Sequence, residues 1–296
     1  MKRVRKAVVP VAGYGTRFLP ETKAVPKEML PIIDKPVIHY IVEELVESGI
    51  EQIIFVTSWH KRSIEDYFDR HLELESRLKE TGKDEYFEKI RRVADMAQFV
   101  TVRQKEQRGT ADAILTAKDI VGNEPFLVTW GDEIVTADPP KSKQLIDAFE
   151  KYDGIVLGVI KADKPEDADK YGYAAGEKIG DGITLVSELI EKPGKGKAPS
   201  SLATIGGSIY PPQIFEAFQQ LEATPRKEMI YIDGINILRD HGVKTYSVEI
   251  KNGKHYDCGN VLEYLKTNVE MALQRDDIKE EFGSFIKEAA GKLPRQ

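Results

Sequence analysis

An α/β fold is predicted: an open, mostly parallel mixed sheet flanked by helices, carrying a helical insertion and a smaller β-rich part. Three observations predict it. Through the first 160 residues, short apolar runs of strand length alternate with amphipathic helical patterns, the signature of a parallel sheet covered on both faces. Residues 59–97 break that rhythm with a long charged stretch of helical pattern. After about residue 170 the pattern becomes more β-like.

In order along the chain, residues 7–11 (Ala-Val-Val-Pro-Val) read as a buried strand. Val37, Ile38, Ile41, Val42, Leu45 and Val46 recur at helical spacing, and Ser48-Gly49 ends that helix. Ile53-Ile54-Phe55-Val56 is a second buried strand, and residues 99–102, 126–129 and 155–160 read the same way. Helical patterns around 111–120 and 142–151 precede two of these strands. Within the 59–97 insertion, Ile64, Tyr67, Phe68, Leu72 and Leu74 are the expected contacts. Strands are expected near Tyr173 and Val186 and over 205–210, with a flexible loop at Gly194-Lys195-Gly196-Lys197. An amphipathic helix is expected within 261–275, giving one domain over 1–275 and a charged tail over 276–296.

Composition narrows the partners. The 43 Lys and Arg against 49 Asp and Glu leave a net charge of −6, a poor basis for broad nucleic-acid binding, which needs clustered cations. An anionic ligand therefore requires local positive charge. The single cysteine, Cys258, excludes an intrachain disulfide and a Cys/His metal cluster, and it favours a reducing cytoplasm. The basic start Met1-Lys2-Arg3-Val4-Arg5-Lys6 runs straight into a strand-like segment too short for a signal-peptide core. No stretch approaches the roughly 20 apolar residues of a membrane span.

The first strand runs into Val11-Ala12-Gly13-Tyr14-Gly15-Thr16-Arg17-Phe18-Leu19-Pro20. Glycines directly after a strand let backbone N–H groups face an anion without Cβ obstruction. A P-loop is excluded because no Gly-Lys-Ser/Thr follows, and a dinucleotide fingerprint because Phe18 stands where its third glycine belongs and Pro20 interrupts the helix. What remains is a glycine loop carrying Arg17, followed by Lys23 and Pro26-Lys27-Glu28-Met29-Leu30-Pro31. Arg17, Lys23 and Lys27 suit a triphosphate. A glycine turn with solvated charges is the bland alternative, weakened by the two prolines that fix the path around Lys27.

Ala12-Gly13-x-Gly15-Thr16-Arg17-x-Leu19-Pro20, then Lys27-Glu28-Met29-Leu30-Pro31 and Lys35-Pro36, resembles the signature of the sugar-phosphate nucleotidyltransferases. Residues 37–57, the insertion with Ser63-Ile64-Glu65, Phe68-Asp69 and Leu72-Glu73-Leu74-Glu75, and Tyr256-Asp257-Cys258-Gly259-Asn260 are similar to the bacterial branch of that family that joins UTP to glucose 1-phosphate. The likeness covers nearly the whole chain. It implies a Rossmann-like fold with a nucleotide-binding part over about 1–135, a sugar-phosphate-binding part over about 136–260 and a C-terminal helix over about 261–275. It also implies uridylyl transfer from UTP to glucose 1-phosphate, yielding UDP-glucose and pyrophosphate, with Mg²⁺ as cofactor and a homodimer or homotetramer as the assembly.

The resemblance distributes the roles. Ala12, Gly13, Gly15, Thr16, Arg17, Lys27, Gln104, Gly109 and Asp132 would bind the nucleotide. Gly172, Glu191, Lys192 and Ile205 would bind the sugar phosphate. Arg17, Lys27 and Lys192 would be catalytic, and Asp132 and Asp257 would hold the metal. Chemistry agrees with these assignments: Gln104 both donates and accepts, as reading a base edge requires, and Lys192 supplies a mobile charge to a phosphate. Without the resemblance, Gln104 reads as a polar strand end and Glu191-Lys192-Pro193 as an exposed turn. Two aspartates so far apart would not have been paired.

Two segments depart from the branch pattern. Gly109-Thr110-Ala111-Asp112-Ala113 stands where Gly-Leu-Gly-His-Ala is usual, and looks more like nucleotidyltransferases that include adenylyl-transferring ones. Gly207-Ser208 replaces a bulkier pair, often Arg-Tyr. The same chemistry on dTTP or ATP, or on another sugar, therefore stays open. A catalytically silent sugar-nucleotide-binding subunit is the rival of a different class, but Lys27, Asp132, Lys192 and Asp257 are all retained. His39 is expected to be structural, His60 and His71 lack metal spacing, and Trp59 and Trp130 are expected to pack. Cys258 reads as a small buried side chain, and the charge runs at 79–83 and 279–281 as solvated faces.

Overall fold

Ala7 and Val9 of strand β1 (Lys6–Pro10) pack into one hydrophobic core, and Val8 between them packs into another. An alternating strand reaches both cores only if both sheet faces are covered, which is why its sequence is continuously apolar. The computed structural model describes residues 3–222 and 228–292. After β1 come a small hairpin, β2 (Pro31–Ile32) and β3 (Lys35–Pro36), then β4 (Gln52–Thr57), β5 (Gln98–Arg103), β6 (Phe126–Val128) and β7 (Glu133–Ala137). The second half supplies β8 (Ile155–Lys161), β9 (Gly172–Gly180), β10 (Ile183–Glu191), β11 (Leu202–Tyr210), β12 (Thr245–Glu249) and β13 (Gly253–Asp257).

The main sheet runs β5-β4-β1-β6-β11-β8-β12-β10-β9. Ile53 and Phe55 of β4 enter the same core as Val9, whereas Ile54 and Val56 enter that of Val8. The helices Val37–Glu47 and Lys141–Tyr152 cover the first face, and Thr110–Thr116, Ile214–Gln219 and Tyr231–Asp240 cover the second. The first helix ends as expected: Ser48 caps it, and Gly49 follows in the left-handed region that favours glycine.

The α/β class is as predicted, but the open, mostly parallel sheet describes only the first half. Strands β5, β4, β1 and β6 pair in parallel. Beyond β6, only β8 with β12 is parallel, and β11, β10 and β9 pair antiparallel with their neighbours. The cause is a hairpin. Gly182, with φ of 73°, turns β9 into β10, and a bulge between Val186 and Glu188 curls the pair back. Gly176 permits that curl, since a Cβ there would lie 1.9 Å from the Leu185 carbonyl oxygen. The curled hairpin then meets β11 through Tyr173 and Ala203, closing this part of the sheet on itself.

The insertion forms three helices, Arg62–Phe68, Leu72–Glu80 and Asp84–Ala94. Ile64 and Phe68 are buried and Tyr67 is half-buried, as expected, but Leu72 and Leu74 are exposed, at 65% and 40%. The second helix instead buries Glu75, whose carboxylate accepts from Arg70 at 2.5 Å. The C-terminal amphipathic helix spans Val261–Ala272, and the charged tail adds a helix, Lys279–Gly291, none of whose residues is buried. Among the described residues, no helix is long and apolar enough to cross a membrane.

Candidate active site

Beyond β1 the Val11 N–H still bonds to β4, donating to the Val56 carbonyl at 2.9 Å. The Ala12 carbonyl then accepts from Gln107 Nε2 at 2.6 Å and from Ser58 Oγ at 3.2 Å, anchoring the glycine loop at its first residue. No helix starts at once, as Pro20 implied. The chain makes three 3-10 turns, Thr16–Phe18, Glu21–Lys23 and Lys27–Met29. Gly15, with φ of 66°, opens the first turn, and its carbonyl accepts from Thr22 Oγ1 at 2.7 Å. The third turn brings Lys27 to the carboxyl end of β6.

There Lys27 Nζ lies 2.5 Å from Asp132 Oδ2. Burial disfavours the Lys27 charge, but Asp132 and Glu28 outweigh it and hold the ammonium above its ordinary range. Gly131 makes the approach possible: a Cβ on it would lie 2.5 Å from Val11 Cγ1. Glu28 and Lys61 form a second pair behind the first, Nζ to Oε2 at 2.7 Å, both about 1% exposed. Burial pushes the Glu28 carboxyl up and the Lys61 ammonium down, each opposed by the other.

Asp257 reaches the same place from β13, which pairs antiparallel with β7 so that Asp257 stands opposite Glu133. The Cys258 N–H donates to the Asp132 carbonyl at 2.9 Å, locking the two segments together. A Cβ on Gly259 would lie 2.8 Å from Asp132 Oδ2 and 2.9 Å from Asp257 Oδ1. Both carboxylates therefore face one small space that only glycine leaves open. Arg17 Nη1 approaches the Gly259 carbonyl at 3.5 Å. Two carboxylates around such a space fit a hard divalent cation that takes its other oxygens from phosphate and water. Among the described residues no group of three or more potential ligands occurs.

A cavity of about 320 Å³ adjoins this centre. Of the expected nucleotide-binding residues, Ala12, Gly13, Lys27, Gln104, Gly109 and Asp132 line it, joined by Gln107, Thr110 and Trp130. Gly15, Thr16, Arg17 and Lys23 do not line it. Gly109 has a structural reason to be glycine: at φ of 122°, a Cβ would lie 2.5 Å from the Met229 carbonyl oxygen.

The expected sugar-phosphate residues also assemble. Glu191 stands opposite Gly172 across β10 and β9, and a Cβ on Gly172 would lie 3.2 Å from Glu191 Oε2 and 2.8 Å from Thr204 Oγ1. Ile205 lies in the register break of β11 between Thr204 and Ser208. Lys192, at a φ of 43°, is held by its N–H donating to the Tyr171 carbonyl at 3.2 Å, with Nζ 3.7 Å from Glu191 Oε1. A non-glycine residue in that region is strained, and such strain gathers at functional sites. Burial raises the Glu191 carboxyl, against the opposing charge of Lys192. Burial, reinforced by Asp257 and Glu133, raises the Tyr171 hydroxyl, and the Tyr171 ring lies edge-on to that of His255, two residues before Asp257, at 6.2 Å.

Sequence reasoning missed several members. Glu133 Oε2 accepts from the Gly206 N–H at 2.6 Å and lies 3.2 Å from His255 Nε2, tying β7, β11 and β13 into one frame. Its place beside Asp132 was the available signal. Lys61 and Gln107 had none, since their partners are remote in sequence. Trp130 packs edge-on against Tyr231 as expected, but it also lines the cavity. Trp59 does not pack into the protein: it is 77% exposed and meets the ring of His60 edge-on, because the turn before Arg62–Phe68 carries it outward. His39 is structural, paired with Glu43 and Tyr67, and His71 caps the helix Leu72–Glu80. Cys258 is buried and its thiol pushed up to about 12 by that burial, which leaves it no nucleophile at neutral pH.

Known proteins bear on this geometry. The family model described as nucleotidyl transferase matches residues 6–274. The chain is 43% identical over 286 residues to the UTP–glucose-1-phosphate uridylyltransferase 1 of Staphylococcus saprophyticus, covering 96% of this chain and 98% of that one. It is similar to the UTP-bound UGPase of Acinetobacter baumannii, with a TM-score of 0.88 and 34% identity over 96% of this chain and 99% of the other. A UDP-glucose pyrophosphorylase complexed with UDP-glucose matches with a TM-score of 0.81 and 37% identity, over 92% and 100% of the two chains.

Proposed function

This chain belongs to the nucleotidyl transferase family, and on that premise we propose that it transfers the uridylyl group of UTP to α-D-glucose 1-phosphate, giving UDP-glucose and pyrophosphate. The observation that carries the reading is one juxtaposition. Lys27, Asp132 and Asp257 converge at the edge of a cavity lined by the glycine loop and Gln104, and Tyr171 links that edge to Glu191 and Lys192. A relative complexed with UDP-glucose and another bound to UTP support the substrates.

The reaction is a direct displacement. A phosphate oxygen of glucose 1-phosphate attacks the α-phosphorus of UTP, the bond to the leaving pyrophosphate breaks, and no side-chain nucleophile takes part. Catalysis then consists of positioning and charge neutralisation. Two unit charges 4 Å apart repel by about 4 kcal/mol at an effective dielectric of 20. Lys27 and Arg17 offset this on the nucleotide side and Lys192 on the sugar side. The backbone of Ala12, Gly13, Gly15 and Thr16 holds the phosphates, Gln104 and Gly109 the base. Gly172, Glu191 and Ile205 hold the hexose. Asp132 and Asp257 would hold a Mg²⁺ ion, whose charge when bound lowers the repulsion between the two phosphates. The nucleotide part then corresponds to about residues 1–135 and the sugar part to about 136–260. A lone cysteine supports a cytoplasmic enzyme.

Purified protein with glucose 1-phosphate, Mg²⁺ and each triphosphate in turn tests the reading, with pyrophosphate release as the signal. UTP is expected to be the preferred substrate. Preference for ATP or dTTP would overturn the base assignment, and no release with any triphosphate would favour the silent subunit.

A further inference from the structure

Gln104 ends the extended segment of β5, where its N–H donates to the Thr57 carbonyl at 2.9 Å, and its side chain lines the cavity. A glutamine amide offers two N–H donors and one carbonyl acceptor. Here Nε2 donates to Asp112 Oδ2 at 2.7 Å and to the Gly109 carbonyl at 3.4 Å. Both of its neighbours are acceptors only. The reversed amide would set Oε1 against a carboxylate and a carbonyl, two repulsive contacts in place of two hydrogen bonds. Asp112 is itself fixed: it is 4% exposed on the first turn of Thr110–Thr116, and its other oxygen accepts from Arg108 Nη2 at 2.5 Å. Oε1 has no hydrogen-bond partner among the described residues, and it is the only part of the amide left to offer.

We propose that Asp112 is a positioning residue for base choice, holding the Gln104 amide so that its carbonyl oxygen alone meets the base. The proposal rests on the uridylyl-transfer reading and deepens it. An acceptor facing ring position N3 selects a base that carries a hydrogen at that nitrogen. Uracil and thymine present the imide N3–H there, whereas cytosine presents a lone pair at N3 and would face acceptor with acceptor. A free amide would turn over and serve either ring, so Gln104 alone does not discriminate between them. The C5 methyl of thymine lies outside this hydrogen bond and is not sensed by it. Within Gly109-Thr110-Ala111-Asp112-Ala113, Asp112 is thus the carboxylate that orients the Gln104 amide.

The test is kcat/KM for UTP, dTTP and CTP with glucose 1-phosphate, for the wild type and Asp112→Asn. The asparagine can donate as well as accept, so it releases the amide. The UTP-to-CTP ratio is expected to fall by about tenfold, the order of one hydrogen bond, mostly through a higher KM for UTP, with dTTP moving in step with UTP. Asp112→Glu, still acceptor-only, is expected to restore part of the ratio. If Asp112→Asn does not fold, Asp112→Ser, which also both donates and accepts, gives the same comparison. A wild type that ignores UTP overturns the uridylyl reading and this proposal together. A wild-type preference for UTP that Asp112→Asn and Asp112→Ser preserve, or an equal loss with all three triphosphates, overturns the orienting role alone.

Discussion

Glu28, in the turn that also presents Lys27, and Lys61, just before the helix Arg62–Phe68, carry opposite charges at about 1% exposure. Each charge is offset chiefly by the other, 2.7 Å away, with Lys27 also acting on Glu28. Lys61→Met leaves a buried carboxylate without its hydrogen-bonded partner and is expected to lower unfolding free energy by about 3 kcal/mol, whereas Glu28→Gln with Lys61→Met together should recover most of it. Denaturant unfolding measures both. Equal stability of the single and double variants would show that the pair is not coupled. Lys192 differs from Lys61 in being half-exposed, at the edge of the sugar-side cluster and strained at φ of 43°. Lys192→Ala is expected to raise KM for glucose 1-phosphate by about tenfold or more while leaving UTP binding nearly unchanged. Equal loss of both affinities in steady-state kinetics and UTP titration would contradict its place on the sugar side.

The helix Val37–Glu47 illustrates what an element adds to its residues. Its apolar stripe was legible at 3.6-residue spacing and lies in the core as expected. Its polar face was not read: Glu43 accepts from Lys35 at 2.7 Å and pairs with His39 one turn earlier at 3.0 Å. Burial alone would raise the Glu43 carboxyl, but His39 and Lys35 outweigh it and bring it from 4.5 to about 2. A depressed carboxyl stabilises the fold above its unfolded value and loses that contribution as pH falls through the folded one. The stability difference between wild type and Glu43→Gln is therefore expected to be full near neutral pH and to shrink between pH 4.5 and about 2. Urea midpoints across that range test it, and a difference independent of pH would remove the ion pair from the account. Periodicity revealed the stripes of such elements because each stripe is local. It misassigned Leu72 and Leu74 because the helix Leu72–Glu80 buries the paired Glu75 instead.

At the scale of the whole molecule, the parallel half of the sheet was legible because each strand, loop and helix repeats one local pattern. The closure of β9 onto β11 was not, since it depends on a bulge and on Gly176 lying against the Leu185 carbonyl. The site divides the same way: the glycine loop and Lys27 are contiguous in sequence, but Asp132 and Asp257 meet only through the β7–β13 pairing. Surface composition leads to one further expectation. The helix Val261–Ala272, which begins one residue after the Asp257-to-Asn260 turn, leaves Leu262 and Leu265 60% and 55% exposed, with Val261 beside them. If copies of this chain associate, this exposed apolar cluster is where the interface is expected. A homodimer or homotetramer built on this face is expected to lose mass on Leu262→Glu with Leu265→Glu, read by sedimentation velocity at micromolar concentration. The helix is joined to the Asp257 segment through its Asn260 cap, which accepts from the Glu263 N–H at 3.0 Å and donates to Asp257 Oδ2 at 3.1 Å. Dissociation should therefore also lower turnover. A wild type already monomeric, or a double variant of unchanged mass, would show that these leucines face solvent in the working enzyme.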